Sequence, residues 1–317
     1  MPRVVVPPAL VTAQMRYHGE AGRAWTAALP RLAAGYLERW QLRRDGAPRS
    51  GHVALALPVR RADGTRAVLK LQRVDDETAG EPLALRTWAG RGAVRLLADD
   101  PAAGVMLLER LDDRRSLDGV RDGLAALRIL SELLARLVAV PAPPGIRRLA
   151  DVVAELLRRI PAVVDRLAGA GDRRLVRDCA AAVAEVATQP GDRLLHWDLH
   201  YQNVLAGDRE PWLAIDPKPL AGDPGFELFP ALWNRWAEVT ATGDVAGAVR
   251  RRFDLMTEVL GLDRPRAAAW TLARVLQNLV WDVEHGSTTV DPVLAAIARA
   301  VGRRSEDDVG EPVHLVR

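Results

Sequence analysis

The stretch His196-Trp197-Asp198-Leu199-His200-Tyr201-Gln202-Asn203, followed by Ile215-Asp216-Pro217, constrains this chain more than any other. It sets an acid, an amide five positions on, and a second acid at the end of an apolar strand. Phosphoryl transfer from ATP needs those groups. One Asp orients and deprotonates an attacking hydroxyl, while an Asn and a second Asp hold the Mg²⁺ that bridges the nucleotide phosphates. Asp198 is expected in the first role, Asn203 and Asp216 in the second.

That chemistry also calls for a lysine on an upstream strand, and lysine is scarce here. Of 44 basic residues only Lys70 and Lys218 are lysine, a ratio that coding bias toward arginine explains. Lys70 lies in Arg66-Ala67-Val68-Leu69-Lys70-Leu71, after the turn signal Ala62-Asp63-Gly64-Thr65, which reads as the second strand of a hairpin. Taken alone, Lys70 reads as a surface residue on an edge strand. With the downstream motif it reads as the compact cation that reaches the nucleotide phosphates. Its carboxylate partner is expected on the next helix, where Glu77 and Glu81 are both available. Glu81 is preferred because it precedes the apolar face of Leu85 and Trp88, with Pro82 tolerated only in a first turn.

Composition narrows the class. At 317 residues and 49% hydrophobic content the chain can build two cores, and no apolar run reaches the roughly 18 residues that would span a bilayer. The N-terminus lacks a signal-peptide pattern, and a lone Cys179 allows no internal disulfide, so a cytoplasmic location is expected. A pI near 9.5 invites a nucleic-acid reading. The formal charge is only +3, however, and the arginine pairs are scattered among acids, so neither nucleic acid nor membrane is expected as a partner.

The chain reads as α+β. An amphipathic helix over 20–42 precedes strands at 52–60, 66–73, 93–98 and 104–111. Asp45 to Gly51 carries two glycines where a phosphate-covering loop belongs, without a full glycine motif. Glu109 and Leu111 are candidate adenine contacts through main-chain atoms. Helices are expected over 117–140, 149–168, 173–188, 225–240, 244–261, 264–285 and 291–303, with a short strand at 211–216 and a frayed last dozen residues. The organisation expected is a β-rich N-lobe at 1–108, a hinge at 109–114 and a larger helical C-lobe at 115–317.

The motifs H-W-D-L-H-Y-Q-N-V-L at 196–205, A-I-D-P at 214–217 and G-D-P-G-F-E-L at 222–228 resemble the aminoglycoside phosphotransferases. Segments at 44–55, 61–71, 107–112, 140–145 and 250–255 extend the resemblance along the chain, toward the streptomycin 6-phosphotransferase branch of aminoglycoside/hydroxyurea resistance kinases. It implies a bilobal protein-kinase-like fold, ATP and Mg²⁺ as cofactors, a monomer, and an aminoglycoside acceptor such as streptomycin, phosphorylated at its 6-hydroxyl. The alternative acceptor is another small hydroxylated metabolite or a hydroxyurea-like compound. By the same resemblance Asp198 is the catalytic Asp, Asn203 and Asp216 the metal ligands, and Lys70 with Glu81 the phosphate-binding pair. Three residues depart from the pattern: Trp197 replaces the small residue usual before the catalytic Asp, though the streptomycin branch tolerates Trp there. Lys218 stands where an acid is expected, and Glu227 where Asp is usual.

A polycationic acceptor needs carboxylates and indole faces. Glu227, Glu238, Asp282, Glu284 and Trp281 lie on helices expected to face it, and Asp282 leads because it follows an apolar run that should be buried. The plainer reading of each is an ordinary helix-surface acid or core Trp. His196 and His200 have the i, i+4 spacing of zinc ligands, but hydrogen bonds that hold the loop are the better expectation for them.

Overall fold

Strand alternation in the first half of the chain builds a sheet with two different faces. The computed structural model describes residues 4–51 and 53–302, so the expected strand start at His52 and the last dozen residues lie outside the described residues. The chain forms two compact units: Met1–Arg121 with Leu133–Arg147 and Arg193–Ala221, and Asp122–Glu132 with Arg148–Asp192 and Gly222–Arg317.

In the first unit a long helix, α1 (Pro8–Arg39), precedes β1 (Arg43–Arg44), β2 (Arg49–Ser50), β3 (Ala54–Arg60), β4 (Arg66–Gln72), α2 (Glu81–Trp88), β5 (Leu96–Asp100), β6 (Val105–Glu109) and β7 (Asp112–Ser116). The sheet runs β1-β3-β4-β6-β5, with β2 also on β3, and its neighbouring strands are antiparallel. Leu55, Leu57, Val59, Leu69 and Leu71 point to one face and bury against Leu29, Ala33, Tyr36 and Leu37 of α1. Each such side chain contributes ~1.5–3 kcal/mol of burial. Ala56, Pro58, Val68 and Lys70 alternate with them and line a cavity on the other face.

Later strands belong to the same unit: β8 (Arg193–Leu195), β9 (Val204–Ala206), β10 (Leu213–Ala214) and β11 (Leu220–Gly222, whose last residue falls in the second unit). β9 lies between β10 and β7, and β11 pairs with β8. Segment 112–116 was expected to run from a hinge into a helix. It pairs instead with β9, which groups the Asp198 loop with the N-terminal sheet.

The second unit is helical. It holds most of α3 (Gly123–Val138), then α4 (Leu149–Arg166), α5 (Ala170–Val186), α6 (Phe229–Trp233), α7 (Trp236–Ala241), α8 (Val245–Leu260), α9 (Arg264–Glu284) and α10 (Pro292–Gly302). α9 is buried on nearly every side along its middle, from Ala267 to Val283, against α4, α5, α8 and α10. Three expected boundaries shift for local reasons. α1 begins at Pro8 and bends at Gly19, whose φ is 54°. The helix expected from 117 starts at Gly123, after the short turn Leu117–Gly119. The helix expected over 225–240 breaks where Arg235 takes a left-handed φ of 56°.

Gly104 fixes the entry to β6. Its φ is 66°, and a Cβ there would stand 2.2 Å from the Gln72 carbonyl oxygen. Gly104→Ala should therefore destabilise the protein by about 2 kcal/mol or more, read as a lowered thermal midpoint of the full chain. An unchanged midpoint would contradict this geometry.

Candidate active site

Lys70 projects from the middle of β4, opposite Ala56 on β3 and Met106 on β6. Its Nζ lies 2.7 Å from both carboxylate oxygens of Glu81, in the first turn of α2, and also contacts Asp216 Oδ1. Gln72 Nε2 donates to Glu81 Oε2 at 2.7 Å. Gln72 sits two residues past Lys70 on the same strand face. That period was legible in the sequence, yet Gln72 was not among the candidates. Burial opposes charge on Lys70, but the carboxylates of Asp216 and Glu81 outweigh it and hold its pKa above the usual lysine value. Burial likewise pulls Asp216 upward, and the Lys70 ammonium overcomes it to hold the carboxyl below its ordinary range. Burial raises the Glu81 pKa against the pull of the Lys70 ammonium.

The Asp198 loop is stitched to this cluster by main-chain and imidazole hydrogen bonds. The Asp198 N–H donates to His196 Nδ1 at 3.3 Å, so Nε2 carries the ring proton and donates to the Ile215 carbonyl at 2.9 Å. Both ring nitrogens of His196 are used inside the loop. Asn203 Nδ2 donates to the Asp198 carbonyl at 2.9 Å, a bond in which its amide oxygen takes no part. Ile215 N–H donates to the Asn203 carbonyl at 2.9 Å, and Lys218 N–H to the His196 carbonyl at 3.0 Å. Trp197 and Asp216 hold φ values of 65° and 62°, costly for non-glycine residues and typical of functional loops. Trp197 is buried with the Arg147 guanidinium 4.5 Å from its ring centre. Trp88 stacks on His196 at 6.2 Å.

Lys70, Asp198, Asn203, Ile215, Asp216 and Lys218 share one cavity of about 550 Å³ in the first unit. Ala56, Pro58, Val68, Val94, Leu108 and Leu111 supply apolar wall, and Lys70, Asp198, Asn203, Asp216 and Lys218 supply polar wall. Glu109 lines it too. Its amide donates to the Arg95 carbonyl at 3.0 Å, and its carboxylate accepts from Arg209 Nη2 at 2.7 Å. Lys218 Nζ lies 3.6 Å from Asp198 Oδ2 and 3.4 Å from Glu77 Oε2. Glu77, the alternative partner for Lys70, is therefore beside the other lysine.

The acceptor candidates are all in the second unit, and their surroundings differ from expectation. Asp282 is exposed rather than buried, because it faces outward on α9 after the apolar run ends. Partial burial and the nearby Asp291 raise its pKa. Glu227 is fully buried in the turn Pro224–Glu227, not a helix-surface acid. Glu284 is ion-paired with Arg159. The Arg274 guanidinium stands 5.7 Å from the Trp281 ring centre, so one indole face already has a cation. Glu238 is held by Arg235 and Arg252. Asp223 accepts from the Gly225 N–H at 2.8 Å and from Arg266 at 2.7 Å.

Solved structures give the fold class. The chain matches aminoglycoside phosphotransferase APH(4)-Ia with a TM-score of 0.56 at 16% identity, over 86% of this chain and 95% of that one. A choline/ethanolamine kinase family protein from Mesorhizobium loti matches with a TM-score of 0.53 at 18% identity, over 82% of this chain and 85% of that one. The fold is protein-kinase-like. A model of the aminoglycoside/hydroxyurea antibiotic resistance kinases matches residues 39–286, and the chain belongs to that family. It is 57% identical to a streptomycin 6-kinase of Streptomyces glaucescens, over 94% of this chain and 97% of that protein. It is also 57% identical to a hydroxyurea phosphotransferase of Kitasatospora aureofaciens, over 94% of this chain and 86% of that protein. A streptomycin 6-kinase of Streptomyces griseus is 54% identical over 94% of this chain and 97% of that protein. The protein is a phosphotransferase that acts on a hydroxyl group.

Burial pushes the His196 pKa down to about 4. Between that value and the ordinary 6.5, the unfolded chain binds a proton at His196 that the native state refuses. Stability should therefore fall as pH drops from 6.5 toward 4, by on the order of 3 kcal/mol from this residue. Urea midpoints across that window should show the slope in the wild type and a slope shallower by up to one proton in His196→Asn. Equal slopes would contradict a neutral buried imidazole.

Proposed function

We propose that this kinase transfers the γ-phosphoryl group of ATP to the 6-hydroxyl of streptomycin. The observation that carries the reading is the convergence of Lys70, Asp198, Asn203 and Asp216 on one cavity wall. High identity to streptomycin 6-kinases over nearly the whole chain supports the acceptor. Apolar side chains of β3, β4 and β6 receive the base, and the Glu109 carbonyl and Leu111 amide meet its edge. Lys70, steered by Glu81 and Gln72, leaves Asp216 for the α- and β-phosphates. Asp198 orients the acceptor hydroxyl and takes its proton.

Mg²⁺ fits the residues present. Among the described residues no three His, Cys, Asp or Glu side chains converge as a metal cage. A magnesium–nucleotide complex needs only one or two protein oxygens besides its phosphates and waters. The Asp216 carboxylate, held below its ordinary range by Lys70, and the Asn203 amide oxygen would hold the ion, which when bound neutralises charge on the nucleotide phosphates. Acceptor contacts from Asp282, Glu284, Trp281 and Glu227 belong to this proposal; exposed Asp282 is the readiest of them to meet a guanidinium. The chain would act as a cytoplasmic monomer.

Hydroxyurea is the second reading, favoured by a relative of equal identity that acts on it by name. Incubation with Mg²⁺-ATP and each acceptor, followed by mass spectrometry, distinguishes the two. The expected result is a single added phosphate on streptomycin, lost by about 1000-fold or more in Asp198→Ala while nucleotide binding persists. Phosphorylated hydroxyurea with untouched streptomycin would replace the acceptor. Wild-type turnover by Asp198→Ala would overturn the site.

A further inference from the structure

We propose that Lys218 is a further catalytic residue, whose ammonium contacts the phosphoryl group in transit while bracing the Asp198 carboxylate. This rests on the reading of Asp198 as the residue that faces the accepting hydroxyl. The placement of Lys218 is unusually determined. Pro217 and Pro219 flank it, Asp216 before them is fixed at φ 62°, and its own N–H is tied to the His196 carbonyl at 3.0 Å. Gly80 makes room for the neighbouring proline, since a Cβ there would lie 2.8 Å from Pro219 Cγ. The backbone thus fixes the point from which this side chain starts.

Its head group is poised rather than committed. Nζ stands 3.6 Å from Asp198 Oδ2 and 3.4 Å from Glu77 Oε2, both beyond ordinary hydrogen-bond length. The side chain is 29% exposed and lines the cavity with Asp198, which is 27% exposed. Lys70, the other lysine of the chain, is already engaged by Glu81 and Asp216. Arg49, also at the cavity wall, pairs with Asp113 at 3.0 Å. Among the described residues Lys218 is the cation that stands within 4 Å of the Asp198 carboxylate.

In the step itself the acceptor oxygen forms a bond to the γ-phosphorus as the bridging P–O bond breaks, and that electron pair leaves on ADP. The acceptor proton passes to Asp198. Lys218 gives and takes no proton. Its charge meets the equatorial oxygens of the transferring group, where charge is spread in the transition state. Glu77 holds the ammonium from the far side, so that it does not collapse onto Asp198.

Lys218→Met keeps the side-chain volume and removes the charge. With the acceptor that the wild type phosphorylates, kcat should fall about 100-fold while affinity for the ATP analogue AMP-PNP changes by less than about threefold. Binding of ADP with aluminium fluoride, a mimic of the phosphoryl in transit, should weaken by about tenfold or more. Lys218→Arg should recover much of both. Glu77→Gln should cost about threefold to tenfold in kcat in the wild type and nothing further in Lys218→Met, the coupling expected if Glu77 acts through Lys218. A kcat within threefold of wild type in Lys218→Met would overturn the proposal. So would equal weakening of AMP-PNP and of ADP with aluminium fluoride. Asp198→Ala run alongside separates the failures: if it is inactive while Lys218→Met is fully active, only the Lys218 role fails.

Discussion

A buried ammonium held between two carboxylates organises the cavity of the first unit of this kinase. The buried Glu81 carboxylate offsets the burial of the Lys70 ammonium, and Asp216, whose side chain is 37% exposed, meets the same ammonium from the cavity side. The three come from β4, α2 and the segment after β10, elements far apart in sequence. Joining them fixes the register of the first helix turn against the sheet and brings the Ile215-Asp216-Pro217 turn to the cavity wall. Removal of Lys70 would leave the buried Glu81 carboxylate without its cation, a loss that costs far more than the intact cluster contributes.

The loop around Asp198 depends on a different constraint. Trp197 and Asp216 occupy backbone regions that side-chain-bearing residues avoid, and packing holds them there. Trp197 is wedged under Arg147, and His196 is fixed by Trp88 stacking and two hydrogen bonds. A neutral imidazole serves this purpose better than a charged one, since its two nitrogens act as one donor and one acceptor. The strain points Asp198 into the cavity while its main chain faces the core. Cys179, in contrast, is an inert small residue of α5, its thiol pushed up to about 12 by burial.

Much of the site was legible in the sequence because its chemistry is local. The spacing from Asp198 to Asn203 and Asp216 sits in one short segment, and Lys70 was marked by strand period and by the scarcity of lysine. Glu81 was distinguishable from Glu77 through Pro82, which fixes where α2 begins. What could not be read is what tertiary contact decides. Asp112–Ser116 looked helical or hinge-like because its pairing with β9 is long-range. Burial of Asp282 was inferred from an apolar run, but a helix turns about 100° per residue, so the next position can face outward. The pairing of Lys218 with Asp198 and Glu77 joins three segments and has no sequence signature beyond a lysine between two prolines.

If Lys70 and the metal share Asp216, then nucleotide affinity and Mg²⁺ are linked through that carboxylate. The most direct test is calorimetric titration of ATP, with and without Mg²⁺, into the wild type and Asp216→Asn. In the wild type Mg²⁺ should tighten nucleotide binding by about tenfold or more, the usual size of a coupling between linked ligands. In Asp216→Asn that gain should disappear while metal-free ATP still binds. An undiminished Mg²⁺ effect in Asp216→Asn would contradict the assignment of the metal to this cluster, and with it the organisation of the cavity around Lys70.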